Sequence, residues 1–232
     1  TAGFCDKYVM AGVDMMNITI YGKGGHGAMP QKTIDPILLS AQFITEIQSI
    51  VSRNLSSNDP AVVTVGAING GTIGNVIPNQ VELKLTIRSL DPKSRKLILD
   101  RIKTIGDNLA RAAGLSDDKL PKYDLLDMTI PAVYNEPALG TVLRKAVGEG
   151  LGTNVVKEVP SVMVGEDFGL YAGQDHSIPS YILWIGTQPK SKIDSFAEKK
   201  EDLPTLHSSN FFPEYETALP GSVKIVSECL FR

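Results

Sequence analysis

An aspartate-proline pair heads a series at helical spacing twice, at Asp35-Pro36 and at Asp91-Pro92, and this constrains the fold more than any other feature of the chain. In each pair the carboxylate suits a helix cap and the proline suits the first helical position. A series at helical spacing follows each: Ile37, Ala41, Ile44, Ile47 and Val51 after the first, and Ile98, Ile102, Ile105, Leu109 and Ala112 after the second. Around these predicted helices the residues alternate instead. From Asp14 onward Met16, Ile18 and Ile20 face one way and Asn17, Thr19 and Tyr21 the other. Residues 61–68 read as a second strand. In 81–89 Val81, Leu83, Leu85 and Ile87 point to a core, while Glu82, Lys84, Thr86 and Arg88 point away. A further strand is predicted from Tyr123 to Thr129. The order β-α-β-β-α-β specifies a ferredoxin-like α+β arrangement, a four-stranded antiparallel sheet with both helices on one face. Its polar face, which includes Arg88, is left free.

Beyond Pro131 the pattern changes. A helix is predicted over 137–149, a short strand in "NVVKEV", and a strand buried on both faces in "SYILWIG" (180–186). Residues 187–206 read as a polar, lysine-rich loop, and a helix is predicted from about Pro213 to the end. Two strands do not make a stable sheet, so this part reads as half of a domain whose partners lie upstream of Thr1. The net charge of −3 gives no case for nucleic acid. No apolar run approaches the roughly 18 residues of a membrane span. Cys5 and Cys229 lack CxxC spacing; they would pair only if the fold brought the two ends of the chain together, and otherwise read as free thiols of a reducing compartment.

The stretch "YGKGGHGAMP" (21–30) contains the spacing G-x-G-x-x-G at Gly22, Gly24 and Gly27. A dinucleotide site needs a helix that begins at the glycines, so that its amides meet the pyrophosphate. Here Pro30 intervenes and the cap comes eight residues after Gly27. The ribose-binding acid expected about 20 residues on is replaced by Ile47. Two readings remain: a flexible turn with an incidental histidine, or a loop built to present His26. His207, in "LPTLHSSNFFPEYE", is either a metal ligand opening a helix or a surface-loop histidine. His176 reads as an ordinary loop residue. In "VGEDFG", Glu166 and Asp167 could orient a metal ligand or cap a helix. With three histidines and no HExxH, HxH or paired Cys/His spacing, the chain does not assemble a metal site alone. No GxSxG elbow appears.

With these residues laid out, the chain resembles the metal-dependent amidohydrolases of the peptidase family that contains hippurate hydrolases, N-acyl-amino-acid amidohydrolases and auxin-conjugate hydrolases. Four blocks carry the resemblance in order: "GKGGHGAMPQKTIDPI", "GGTIGNVIPNQVELKLTIRSLD", "GEDF" and "HSSNFFPE". The resemblance implies a lid domain over 14–130 that mediates homodimerisation. It makes 1–13 and 131–232 part of an α/β catalytic domain that binds two divalent ions (Zn, Mn, Co or Ni). It implies His207 as a metal ligand and Glu166 as a supporting residue near the metals. His26 would enter the neighbouring subunit's site to hold the substrate carbonyl. Asn75 and Arg88 would bind the amide and carboxylate of a small N-acyl amino acid or peptide-like substrate. Most metal ligands and the general base would lie in an N-terminal half absent here, and Cys5 in "GFCDKY" is no substitute for its Cys-Gly-His-Asp-type motif. The chain by itself is therefore expected to bind metal weakly and to lack amidase activity. The competing expectation is a non-catalytic dimerisation or ligand-binding module that keeps the lid architecture.

Overall fold

The computed structural model describes residues 1–127, 129–173 and 177–231, so His176 lies outside the described residues. In chain order the strands are β1 (Ala2–Phe4), β2 (Lys7–Met10), β3 (Gly12–Tyr21), β4 (Gly25–His26), β5 (Ala61–Gly70), β6 (Val76–Ile77), β7 (Gln80–Ser89), β8 (Lys122–Leu125), β9 (Val133–Asn135), β10 (Val156–Glu158) and β11 (Trp184–Ile185). The α-helices are α1 (Pro36–Glu46), α2 (Pro92–Ala112), α3 (Pro137–Leu151), α4 (Lys190–Lys199) and α5 (Tyr215–Phe231). They form two compact units. One comprises Tyr8–Tyr134 with Ser161–Ser177; the other comprises Thr1–Lys7, Asn135–Pro160 and Ile178–Arg232.

The larger unit has the predicted β-α-β-β-α-β plan, with a four-stranded antiparallel sheet in the order β5-β7-β3-β8. β3 and β7 pair along their whole length, from Gly12 opposite Ser89 to Tyr21 opposite Gln80. Both Asp-Pro starts work as read. Asp35 accepts from the amides of Ile37 (2.8 Å) and Leu38 (3.4 Å), and Asp91 accepts from that of Lys93 (3.1 Å). Ile18, Leu83, Ile87, Phe43, Ile98 and Ile102 share one core, so both helices cover the same sheet face. Each such side chain contributes about 1.5–3 kcal/mol when fully buried.

The buried face of α1 differs from the predicted one. Leu39, Phe43, Ile47 and Ile50 are buried, whereas Ile37 and Ala41 are exposed. The segment is apolar on more than one face, and periodicity alone does not choose between them. The large ring of Phe43 decides it by packing over Gly106 of α2. On the same face Tyr123 of β8 donates to Asp107 (3.1 Å) and to the carbonyl of Lys103 (3.3 Å). A β-carbon at Gly106 would run into the Tyr123 hydroxyl and crowd Phe43. Gly106→Ala is expected to cost about 1–3 kcal/mol, as overpacking does. A matching fall in the urea midpoint, partly relieved by adding Tyr123→Phe, is the check.

In the smaller unit β1 is the central strand, parallel to β10 and antiparallel to β11. Ala2 and Phe4 pack with Val147 of α3 and Ile225 of α5. The run 180–186 forms a strand only at Trp184–Ile185 and is half-buried rather than covered on both faces. Its upstream backbone is held by a side chain instead of a strand. Asn135 accepts from the amide of Ile182 (2.8 Å) and donates to its carbonyl (3.0 Å). The predicted loop 187–206 contains α4, which buries no residue and so carries no apolar period to read. A Lys190–Asp194 pair (2.7 Å) one turn apart supports it.

Arg144 binds both oxygens of Glu158 (2.7 and 3.1 Å) and one of Asp6 (2.9 Å), which also accepts from Tyr181 (2.8 Å). Burial pushes the Asp6 carboxyl up, but the hydrogen bonds from Arg144 and Tyr181 and the guanidinium charge outweigh it and hold the group below the usual range. A lowered carboxylate stabilises the fold fully above its unfolded value of about 4 and loses that contribution as pH falls through the lowered one. The gap in urea midpoint between the wild type and Asp6→Asn is therefore expected to be widest above pH 4 and to close on further acidification.

Candidate functional site

The glycine-rich stretch belongs to the larger unit and is wired rather than slack. Gly22 donates to the carbonyl of Asn79 (2.8 Å), and Gly24 donates to the Asn79 side chain (3.0 Å). Lys23 and Ile34 exchange both backbone bonds, at 2.8 and 3.0 Å. None of Gly22, Gly24, Gly25 and Gly27 has positive φ. They are glycines because backbone approaches backbone. A β-carbon at Gly22 would sit 2.5 Å from the Ile34 carbonyl, and one at Gly27 would sit 3.1 Å from that of Asn75. The first amides of α1 are taken by Asp35, which removes the phosphate-binding option.

This packing forms a small hairpin in which His26 of β4 lies opposite Val76 of β6 and Gly27 donates to the carbonyl of Asn75 (2.8 Å). His26 and Asn75 are therefore brought together, and both are exposed. Among the described residues the imidazole makes one hydrogen bond, accepting at Nδ1 from the amide of Ala28 (3.0 Å). A backbone amide can only donate, so Nδ1 carries no proton and the neutral ring holds its hydrogen on Nε2. His26 thus presents a donor to its surroundings.

Arg88 lies near the other end of β7, opposite Val13 of β3. Eight residues separate it from Gln80, roughly 27 Å along an extended strand, and the hairpin lies beyond Gln80. The structure therefore keeps Arg88 apart from His26 and Asn75. One Arg88 nitrogen donates to the carbonyl of Met163 (2.8 Å), which joins it to the Ser161–Ser177 segment of the same unit. Glu166 lies three residues farther on and caps the turn Asp167–Ala172 by accepting from the Asp167 amide (3.1 Å).

His207 belongs to the smaller unit, exposed in a turn closed by the Ser208 amide on the Thr205 carbonyl (3.1 Å). Its φ of 66° is left-handed, a conformation costing a non-glycine residue about 1–2 kcal/mol. Among the described residues no three or more His, Cys, Asp and Glu side chains converge on a point where an ion could sit. The described residues do not fit a metal centre by themselves. Cys5 and Cys229 are both free thiols.

Two features escaped the sequence reading. The β4–β6 pairing joins segments about 50 residues apart, and two-residue strands carry no period to detect. The attachment of the Glu166 segment to the larger unit rests on backbone bonds, Ala11 to Val164 (3.0 Å) and Val162 to Val9 (2.9 Å), for which side chains give no signal.

Residues 10–113 match the peptidase dimerisation domain. The chain is 31% identical over 226 residues to an N-acetylcysteine deacetylase of Bacillus subtilis, covering 97% of this chain and 56% of that protein. It is equally 31% identical to an N-acetyldiaminopimelate deacetylase of Leuconostoc citreum, covering 97% of this chain and 52% of the relative. It thus spans about half the length of the curated relatives it matches. Among solved structures, one described as an aminohydrolase from methicillin-resistant Staphylococcus aureus superposes with a TM-score of 0.83 at 25% identity, over 100% of this chain and 56% of that one. A Bacillus subtilis structure described as a dinuclear metal-binding peptidase from the M20 family gives 0.73 at 24% identity, over 98% and 51%.

Proposed function

For a chain that belongs to the M20 peptidase family, we propose the role of a subunit in a homodimeric N-acyl-amino-acid amidohydrolase, which cleaves an amide next to a free carboxylate. The observation that carries the reading is the separation of His26 and Asn75 from Arg88 along β7. A single chain cannot bring both ends of its sheet to one small amide. Two chains can, if the hairpin of one meets the Arg88 end of the other. The dimerisation domain and the deacetylase names of the relatives support the same assignment.

In this arrangement His26 donates from Nε2 to the carbonyl oxygen as it gains negative charge, with Asn75 beside it on the amide. The partner subunit's Arg88 uses the nitrogens not spent on Met163 to grip the carboxylate. Residues 14–130 act as the lid, with 1–13 and 131–232 in the catalytic part. His207 is the ligand this chain would offer to a divalent ion, and the cost of its left-handed backbone is the kind of strain that persists at working sites. Glu166, which belongs to the larger unit, keeps a supporting role near the metals of the full-length protein in this reading.

The test uses the full-length protein with an N-acetyl amino acid and the same compound with its carboxylate amidated. Amidation is expected to lower kcat/KM by about ten- to a hundredfold, the worth of a charged hydrogen bond. Arg88→Met is expected to lower turnover of the acid alike and to abolish the discrimination. A purely structural Arg88–Met163 bond would slow both compounds equally and sink the assignment. A stable dimer without turnover of any N-acyl amino acid would favour the non-catalytic module.

A further inference from the structure

The hairpin that carries His26 also carries an unexplained apolar rim. Val76 is 50% exposed, Ile73 63% and Met29 47%; Met29 follows His26 by three residues, and Ile73 and Val76 belong to the other arm of the hairpin. Two tight turns set their positions. The amide of Met29 bonds the carbonyl of His26 (2.8 Å), and that of Val76 bonds the carbonyl of Ile73 (3.2 Å). Val76 is directly opposite His26 in the antiparallel pair. Facing residues of such a pair project from the same side, with β-carbons about 4.5–5.5 Å apart. Ile77 and Gly25 form the next pair and point to the other side. The Val76 side chain therefore stands beside that of His26 on one face of the hairpin.

We infer that Val76, flanked by Ile73, selects the acyl group of the substrate by forming an apolar contact for the chain attached to the carbonyl carbon. This rests on the role proposed for His26 and adds the choice of substrate. The imidazole holds the carbonyl oxygen. The amide nitrogen leads away to the carboxylate and the partner subunit's Arg88. What remains beside the hairpin is the acyl substituent, bonded to the same carbon as the oxygen. Both apolar side chains lie in water without it, and covering them with methylenes removes that exposure. Short unbranched or branched aliphatic acyl groups fit this rim, and a charged acyl chain does not.

The experiment measures kcat/KM of the full-length protein for N-acetyl, N-butyryl and N-hexanoyl derivatives of one amino acid. A second series of N-acetyl derivatives varies the amino acid. Val76→Ser and Ile73→Ser alter exposed side chains, and thermal midpoints confirm that both variants fold. The ratio of hexanoyl to acetyl turnover is expected to fall about fourfold for each methylene that the variant leaves in water, with the ratios between amino acids in the second series unchanged. An unchanged acyl ratio, or a shift confined to the amino-acid series, overturns the inference. A uniform loss across both series overturns it as well, by showing that Val76 only supports the hairpin. His26→Ala serves as the separate control: if it leaves turnover intact the underlying reading fails, whatever Val76 does.

Discussion

Replacing Arg95 with leucine is expected to destabilise the larger unit by about 3–5 kcal/mol, the cost of leaving one member of a buried ion pair alone. Asp14, on β3, is only 2% exposed at its side chain. Its carboxylate accepts from Arg95 at 2.7 and 2.8 Å and from the Thr129 hydroxyl at 3.2 Å. Without the guanidinium, the threonine is the hydrogen-bond partner that remains among the described residues for a charge that water hardly reaches. The reverse change is milder. Arg95 is 37% exposed, so in Asp14→Leu the guanidinium turns to water, at an expected cost of about 1–2 kcal/mol. The double variant is expected to recover most of the loss, because a packed apolar pair can match a buried ion pair. Urea unfolding at fixed protein concentration checks all three, since the proposed dimer would make midpoints concentration-dependent. Equal losses for the two single variants would show that burial does not set the asymmetry.

The Asp14–Arg95 pair also shows what the sequence does and does not disclose. Asp14 marked the start of a predicted strand and Arg95 the first turn of a predicted helix, and both elements are present. Their meeting across 81 residues is a tertiary fact with no local signal. The sheet was legible because one face of β7 is buried and the other exposed, which makes alternation visible in Val81, Leu83, Leu85 and Ile87. α4 was not, because nothing on it is buried. The candidate site divides the same way. His26 stood out by its glycines, yet the reason for them is backbone contact with Ile34 and Asn75, segments the sequence does not place nearby. Arg88 was visible as an outward residue on β7, but its distance from the hairpin depends on the β3–β7 register.

That distance makes the largest effect on activity testable. His26→Ala in the full-length enzyme is expected to lower kcat by about 10²–10³-fold, the usual loss when one donor to a developing oxyanion is removed. Its stability should hardly change, because the ring is exposed and its bond is to the nearby amide of Ala28. Gln is a better test than Ala of the donor itself, since its amide nitrogen reaches about as far as Nε2–H, and His26→Gln should retain more turnover. The location of the site is tested by mixing. Subunits with His26→Ala and subunits with Arg88→Met are each expected to be strongly impaired in their own homodimers. If every site takes the hairpin from one chain and Arg88 from the other, a mixed dimer has one site with both changes and one with neither. Random exchange between equal amounts should then restore about a quarter of the wild-type sites, as two-fold symmetry requires. If His26 and Arg88 instead served a site within one chain, each mixed site would lack one of them and activity would stay at the background of the separate variants.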